Sequence, residues 1–199
     1  MTSARHSISR TILTAVLLLS CSQGEEPATR TEAVELRVDH EVIGGADSFA
    51  VIEPVYWQAD IYGSLRDYEA SLAPFTQRQR LMLALHWYVS EVNNGGHDQF
   101  YENSTGIVWP DALAALEAIE VQDGAAILRE SASRLGEPPS RDRSERQKQL
   151  ASSNAEFQDL DDRFYELQER HELNAAMLQF MQQHPEDFLF SGSVSKPVP

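Results

Sequence analysis

The segment from Glu91 to Asn103 concentrates the side chains that could do chemistry in this chain. It places amides, carboxylates, two adjacent glycines, His97 and Asp98 where one helix is expected to end and another to begin. One interpretation is a polar pocket in which His97 acts as a base or as a metal ligand. The other, which we favour, is a buried turn whose amide side chains satisfy backbone groups while the glycines let the chain reverse.

The histidines are not spaced like metal ligands. The six lie at positions 6, 40, 86, 97, 171 and 184, with no pair at helical spacing and only Cys21 as a thiol. Zinc-site patterns are therefore absent from the sequence. A glycine-rich phosphate loop and a nucleophile elbow are also absent from it. We predict no metal, no cofactor and no catalytic residue. A small periplasmic hydrolase or metal-dependent enzyme using the Asn94–Asn103 turn remains the alternative.

A row of carboxylates forms a second candidate site. An apolar stripe at spacings of 3, 4 and 3 predicts a helix at this place: Phe157, Leu160, Phe164 and Leu167. The acidic residues expected on its outer side are Glu156, Asp159, Asp162, Glu166 and Glu169. Carboxylates three or four residues apart are about 5–6 Å from one another on a helix. Such a face is either ordinary solvated surface, which we favour from the charges alone, or a DNA-like surface for a basic partner.

The first residues predict export and a lipid anchor. Two arginines and a short apolar run precede Cys21, and the run is shorter than the about 20 residues of a membrane-spanning helix. Leu18-Leu19-Ser20-Cys21 resembles the bacterial lipobox, whose cysteine is lipidated and becomes the mature N-terminus. We predict a signal peptide at 1–20, lipid attachment at Cys21 and a periplasm-facing place in the cell envelope. Ser22 favours the outer membrane over the inner, by resemblance to lipoprotein sorting rules.

The charge balance restricts the class of partner. The chain has 31 acidic and 16 basic residues and a formal charge of −15, which becomes −17 once the two arginines of 1–20 are removed. Such a surface repels nucleic acid and anionic lipid headgroups and attracts basic proteins. We therefore expect a basic protein partner, no nucleic acid, and membrane contact through the lipid anchor only. A structural envelope lipoprotein whose charge serves solubility is a further alternative.

Residues 46–190 predict an all-α fold, a single-domain helical bundle. Small, polar and helix-breaking residues predict a flexible linker at 21–45. Within this linker, the alternation of Val34 and Leu36 with charged residues predicts one short strand. A disordered tail is expected at 191–199.

The best-marked helix begins at Thr76, where Thr76 and Gln79 fit a capping box. Its predicted buried face consists of Leu81, Leu85, Tyr88 and Val92. The run Asn93-Asn94-Gly95-Gly96 is expected to end it, because asparagine and glycine tolerate the left-handed conformation. Pro110 suits the first turn of a later helix. The polar residues 140–155 predict a solvated helix.

A family resemblance rests on the segment from Glu91 to Asn103. The residues that carry it are Glu91, Asn94, Gly95, Gly96, Gln99, Phe100, Tyr101 and Asn103. They resemble the signature of the DNA-mimic-protein family, an all-helical domain otherwise of unknown function, and the resemblance extends over roughly 50–190. The chain has His97 where the family has an aromatic residue. It has Glu120-Val121 where a small glycine-containing turn is expected.

The resemblance implies an acidic, non-catalytic protein-binding module. The family's described member presents DNA-like negative charge to a transcription factor and does so as a dimer, so a homodimer is the assembly that the resemblance implies here. Export would separate this chain from a cytoplasmic transcription factor. The partner expected for it is therefore a basic protein of the cell envelope.

Overall fold

Nine α-helices and a pair of strands make up residues 31–170 and 172–198, the part of the chain that the computed structural model describes. The predicted signal peptide at 1–20 and Cys21 lie outside it. The elements are β1 (Thr31–Val38), α1 (His40–Ile43), α2 (Ser48–Gln58), α3 (Leu65–Ser71), α4 (Gln77–Glu102), α5 (Trp109–Ala118), α6 (Gln122–Ser133), α7 (Arg143–Ser153), α8 (Gln158–Arg170), α9 (Leu173–Gln183) and β2 (Phe190–Pro197).

The two strands bring the ends of the described chain together. β1 pairs antiparallel with β2, in a register that sets Thr31 opposite Pro197 and Val38 opposite Phe190. Val38 and Val194 are buried, and both strands contact α2. The ribbon therefore covers one side of the helical core.

This ribbon corrects three expectations. Residues 191–197 belong to a strand and not to a disordered tail, and residues 31–38 are a strand within what we expected to be a flexible linker. The fold is consequently mostly helical with a small sheet, and not all-α. The strand predicted from Val34 and Leu36 is confirmed. Its partner could not be predicted locally, because Val34 faces Val194, 160 positions later in the chain.

The helix α4 is the centre of the bundle and contacts α2, α5, α7 and α8. Its capping box is confirmed: Gln79 N donates to Thr76 Oγ1 at 3.2 Å, and Thr76 N donates to Gln79 Oε1 at 2.9 Å. The four residues of the predicted stripe are buried: Leu81, Leu85, Tyr88 and Val92. The sequence pattern therefore identified the start of this helix and one of its buried faces, while Met82, Leu83 and Ala84 are buried as well.

The predicted end of the helix is a break within it. Gly95 (φ −162°, ψ 25°) and Gly96 (φ 73°, ψ −173°) leave the helical conformation, and the helix then resumes and continues to Glu102. Phe100 and Tyr101 of the resumed part are fully buried. Their burial holds the chain against the core, so that the glycines redirect the helix instead of ending it.

The helix α7 is less solvated than its polar sequence at 140–155 predicted. Arg146 is fully buried. Its guanidinium donates to the carbonyls of Tyr101 at 2.8 Å, Asn103 at 2.6 Å and Ser140 at 2.8 Å. Two of these carbonyls lie at the C-terminal end of α4, where unpaired carbonyls and the helix dipole favour a cation. One buried arginine thus fixes α7 to the end of α4.

The later helices follow their predicted stripes. The apolar residues of α8 and of the turn before it are all buried: Phe157, Leu160, Phe164 and Leu167. Pro110 lies in the first turn of α5. Glu120, between α5 and α6, has a φ of 61°, the left-handed conformation for which glycine is best suited. Across the described ranges, no helix is both long and apolar enough to cross a bilayer.

Candidate functional site

The break in α4 brings the family-motif residues against α8. Gly96 has a positive φ, and a Cβ at this position would overlap the carboxylate of Asp161 in α8. A Cβ on Gly95 would overlap the side chain of Gln99. Gly96 therefore requires glycine, because of its conformation and because the Asp161 carboxylate approaches it closely, whereas a Cβ on Gly95 would require the Gln99 side chain to move.

Glu91 links the two halves of the broken helix. Its carboxylate accepts hydrogen bonds from Gln99 Nε2 at 2.7 Å, Asn103 Nδ2 at 2.9 Å and Thr105 Oγ1 at 2.6 Å. We expected the motif amides to satisfy backbone groups, and for Gln99 and Asn103 that expectation is wrong. Asn94, the remaining motif amide, is exposed. The motif thus forms a carboxylate-centred network across the break.

His97 joins α4 to α8 through a buried set of three side chains. Asp161 Oδ1 accepts from the backbone N of His97 at 2.9 Å and lies 2.5 Å from its Nδ1. Because a carboxylate can only accept, Nδ1 carries the proton and Nε2 faces the Tyr88 hydroxyl at 3.0 Å. Burial raises the pKa of Tyr88 well above its ordinary value, which keeps the hydroxyl protonated.

Further hydrogen bonds strengthen the same contact. Tyr165 Oη donates to the carbonyl of Val92 at 2.9 Å. The side-chain amides of Asn93 and Gln168 donate to each other, at 3.2 and 2.6 Å. The α8 helix is therefore held to α4 over successive turns, from Asp161 to Gln168.

This geometry gives the turn a structural role. The side chain of His97 is fully buried, and its ring contacts Tyr88, Phe157 and Phe164. A substrate has no access to a base enclosed in this way, so the hydrolase alternative gains no support from the position of His97. Within the described ranges, no group of three or more His, Cys, Asp or Glu side chains is arranged to hold a metal ion.

The five predicted carboxylates are all exposed on or next to α8: Glu156, Asp159, Asp162, Glu166 and Glu169. Residues 156–170 contain six acidic residues and two arginines, a formal charge of −4. Arg163 pairs with Glu130 of α6 at 2.7 Å instead of with a carboxylate of its own helix. The structure thus exposes all five carboxylates, and we call this set of residues the acidic face.

Asp159 differs from the other four because it has an arginine partner. Arg134, which directly follows α6, donates to its two carboxylate oxygens at 2.5 and 2.6 Å and to Glu130 at 2.8 Å. The hydrogen bonds from Arg134 lower the pKa of Asp159 to about 2. Asp159 therefore belongs to a surface ion-pair network, and its charge is largely compensated.

Sequence reasoning missed the residues that act across helices. The sequence pattern singled out neither Asp161 nor Arg134, and it placed Arg146 in a solvated helix. Each finds its partner 22 to 64 positions away in the chain. Single-helix spacing carries no signal for such contacts. The one signal in the sequence was His97 itself, which stands where the family has an aromatic residue and lies in the contact between α4 and α8.

The comparisons with known proteins identify the family. Neither the curated proteins nor the solved structures gave a significant match. A family model described as DMP19-like protein matches residues 73–184. The match begins just before α4, contains the broken helix and the contact with α8, and ends after α9. Because it spans more than half of the chain and includes the whole motif, this chain belongs to the family of DMP19-like proteins.

Proposed function

We propose that the chain is a non-catalytic module that binds a basic protein through the acidic face. The observation that carries this proposal is the two-sided character of α8, which buries Leu160, Phe164 and Leu167 and exposes carboxylates on its outer side. Membership of a DNA-mimic family supports binding by presented negative charge. The part of the chain described carries 29 acidic and 13 basic residues, so long-range attraction acts in the same direction.

Four of the five carboxylates are available to a partner. Within 4.0 Å, no salt bridge joins Glu156, Asp162, Glu166 or Glu169 to any described lysine or arginine. Asp159 contributes little, since Arg134 neutralises it. A partner therefore meets the acidic face mainly at Asp162, Glu166 and Glu169.

The acidic face is also held in place. The contacts of α8 with α4 fix the helix over successive turns, through Asp161 first and then through Tyr165 and Gln168. A fixed array of charges loses less conformational entropy on binding than a flexible one. This rigidity favours a presented surface over charge that serves solubility alone.

Lipid anchoring through Cys21 is part of the same proposal. An anchored, periplasm-facing module would meet basic proteins of the envelope and not a cytoplasmic repressor. Fatty-acid labelling of the wild type and of Cys21→Ala, combined with fractionation, tests this. Label in the envelope that disappears in the variant supports the anchor. Unlabelled protein in the cytoplasm contradicts it and redirects the search to cytoplasmic basic partners.

The binding proposal is tested with two charge-reversal variants of equal size. The first carries Asp162→Lys, Glu166→Lys and Glu169→Lys on the acidic face, and leaves Asp159 with its arginine. The control carries Glu32→Lys, Glu35→Lys and Glu41→Lys, which are exposed residues on β1 and α1. Both are used to capture proteins from an envelope extract at low and at high salt.

The proposal is supported if the wild type and the control retain basic proteins that the acidic-face variant does not retain. High salt should weaken the binding of these proteins. Equal capture by all three proteins, or capture that does not depend on salt, would contradict it. Because both variants change the net charge equally, a difference between them reports the position of the charge.

A further inference from the structure

A groove of about 620 Å³ lies between α2, α4 and the end of the β1–β2 ribbon. This volume is in the range of small-ligand pockets. Its walls are mainly aromatic and include Tyr56, Trp57, Tyr62, His86 and Trp87. Tyr62 at its rim is 87% exposed, although large aromatic side chains are usually covered. The groove is therefore an aromatic surface partly open to solvent, and none of the residues that line it belongs to α8.

The charged groups of the groove are acidic. Glu91, the centre of the motif network, lines it together with Asp60. The three donors to Glu91 are neutral, and no described lysine or arginine lies within salt-bridge distance of its carboxylate. Burial lowers the pKa of His86 from its ordinary value, which favours the uncharged ring. A ligand in the groove would meet aromatic faces and uncompensated negative charge.

The neighbourhood of the groove already holds one cation in this way. Lys196 of β2 places its Nζ 5.7 Å from the ring centroid of Trp57, and it forms an ion pair with Glu53. The indole and the carboxylate thus act together on an ammonium group of the same chain. One face of Trp57 is used by this contact. Tyr62 is open to solvent, whereas Trp87 lines the groove as a mostly buried ring.

We propose that the groove binds the guanidinium group of an arginine side chain from the basic partner, an inference that rests on the proposed function. Arginine has an apolar stem, a planar cation that stacks on aromatic rings, and donors that pair with carboxylates. Each of these features has a counterpart in the groove. An ammonium group matches it less well, because it is compact and strongly hydrated. An anchored arginine supplies the short-range selectivity that a row of exposed carboxylates lacks.

The three tryptophans of the chain allow a direct test. Trp57 and Trp87 line the groove, whereas Trp109 lies elsewhere, with its Nε1 donating to the carbonyl of Pro139 at 2.6 Å. The indole N–H signals of the ¹⁵N-labelled full chain are followed by NMR during titration with N-acetyl-arginine amide. N-acetyl-citrulline amide, which has nearly the same shape without the charge, is the matched probe, at constant ionic strength.

The expected result is that the arginine probe shifts the signals of Trp57 and Trp87 and leaves Trp109 unchanged. The citrulline probe should bind at least about fivefold more weakly, since it lacks the charge that the rings and carboxylates attract. Equal binding of both probes, or equal shifts at all three tryptophans, would overturn the inference.

Two variants with different structural risk check the site. Glu91→Gln removes the charge and keeps an acceptor for the network, and Tyr62→Ala removes an exposed ring. Both should weaken the arginine probe several-fold, while Glu169→Gln on the acidic face should not. The unchanged Trp109 signal shows that each variant is folded. Normal binding in both groove variants would overturn the inference.

The outcomes also separate this inference from the proposed function. If the arginine probe does not move the groove signals and the acidic-face variant still loses its partner, the groove inference is wrong and the proposed function stands. If the probe binds specifically and no basic protein depends on the acidic face, the proposed function fails. The groove is then a site for a small guanidinium compound.

Discussion

The contact between Asp161 and His97 leads to a prediction with a matched control in the next residue. Asp161→Ala removes the acceptor of two donors of His97, its backbone N and its Nδ1. Asp162→Ala removes an exposed carboxylate that accepts only from Gln158, on its own helix, at 2.8 Å. The two substitutions delete the same group at adjacent positions. The structure predicts very different effects on stability.

The magnitude follows from the two donors left without a partner. Each buried donor that loses its acceptor costs about 1–3 kcal/mol. The side chain of His97 is fully buried, while that of Asp161 is 14% exposed, so water can replace part of the loss. We expect Asp161→Ala to lower the free energy of unfolding by about 2–4 kcal/mol. Asp162→Ala should change it by no more than about 0.5 kcal/mol.

The assay is urea unfolding followed by tryptophan fluorescence and by circular dichroism, with thermal melts as a second measure. In a protein of this size, 1 kcal/mol corresponds to about 2–4 °C, so Asp161→Ala should lower the Tm by roughly 4–16 °C. Gly96→Ala should also destabilise, since its Cβ overlaps the same carboxylate. Gly96→Ala should destabilise the Asp161→Ala variant less than it destabilises the wild type. Equal stability of the Asp161 and Asp162 variants would refute the reasoning.

Three further predictions concern single residues outside this contact. Glu120→Gly should stabilise the protein by up to about 1 kcal/mol, because glycine relieves the left-handed conformation, while Glu120→Ala should give no gain, as thermal melts would show. Arg146→Lys should cost about 2–4 kcal/mol in urea unfolding, because an ammonium group cannot reach the three carbonyls in the geometry of the guanidinium. The pKa of Asp159 is lowered, so its contribution to stability is present above its ordinary pKa of 3.8 and is lost as the pH falls through about 2. NMR titration should give this midpoint for Asp159, and Arg134→Gln should return it toward 3.8.

Each of these has an outcome that contradicts it. A loss of stability in Glu120→Gly would show that the Glu120 side chain contributes more than its backbone strain costs. Arg146→Lys at wild-type stability would show that the end of α4 does not depend on the guanidinium. An Asp159 midpoint near 3.8 in the wild type would show that the Arg134 contact is not maintained in solution.

The sequence by itself predicted the features that depend on local spacing. The capping box at Thr76, the inner face of α4 and the inner face of α8 recur every three or four residues, so one helix carries the whole signal. The family motif is also local, since its residues lie within 13 consecutive positions and can be compared with the family signature directly. The exposure of the five carboxylates followed from the apolar stripe beneath them.

Tertiary structure decided which of these residues meet. Asp161 and Asp162 are identical and adjacent in the sequence, yet only the first faces the break in α4, because successive residues of a helix point about 100° apart. Arg146 is buried because its guanidinium binds carbonyls at the end of α4. The polar residues around it in the sequence gave no sign of this contact. The C-terminal residues form a strand because their backbone groups pair with those of β1, about 160 positions earlier in the chain. Local patterns determine faces and ends, whereas pairing between distant segments depends on how the whole chain packs.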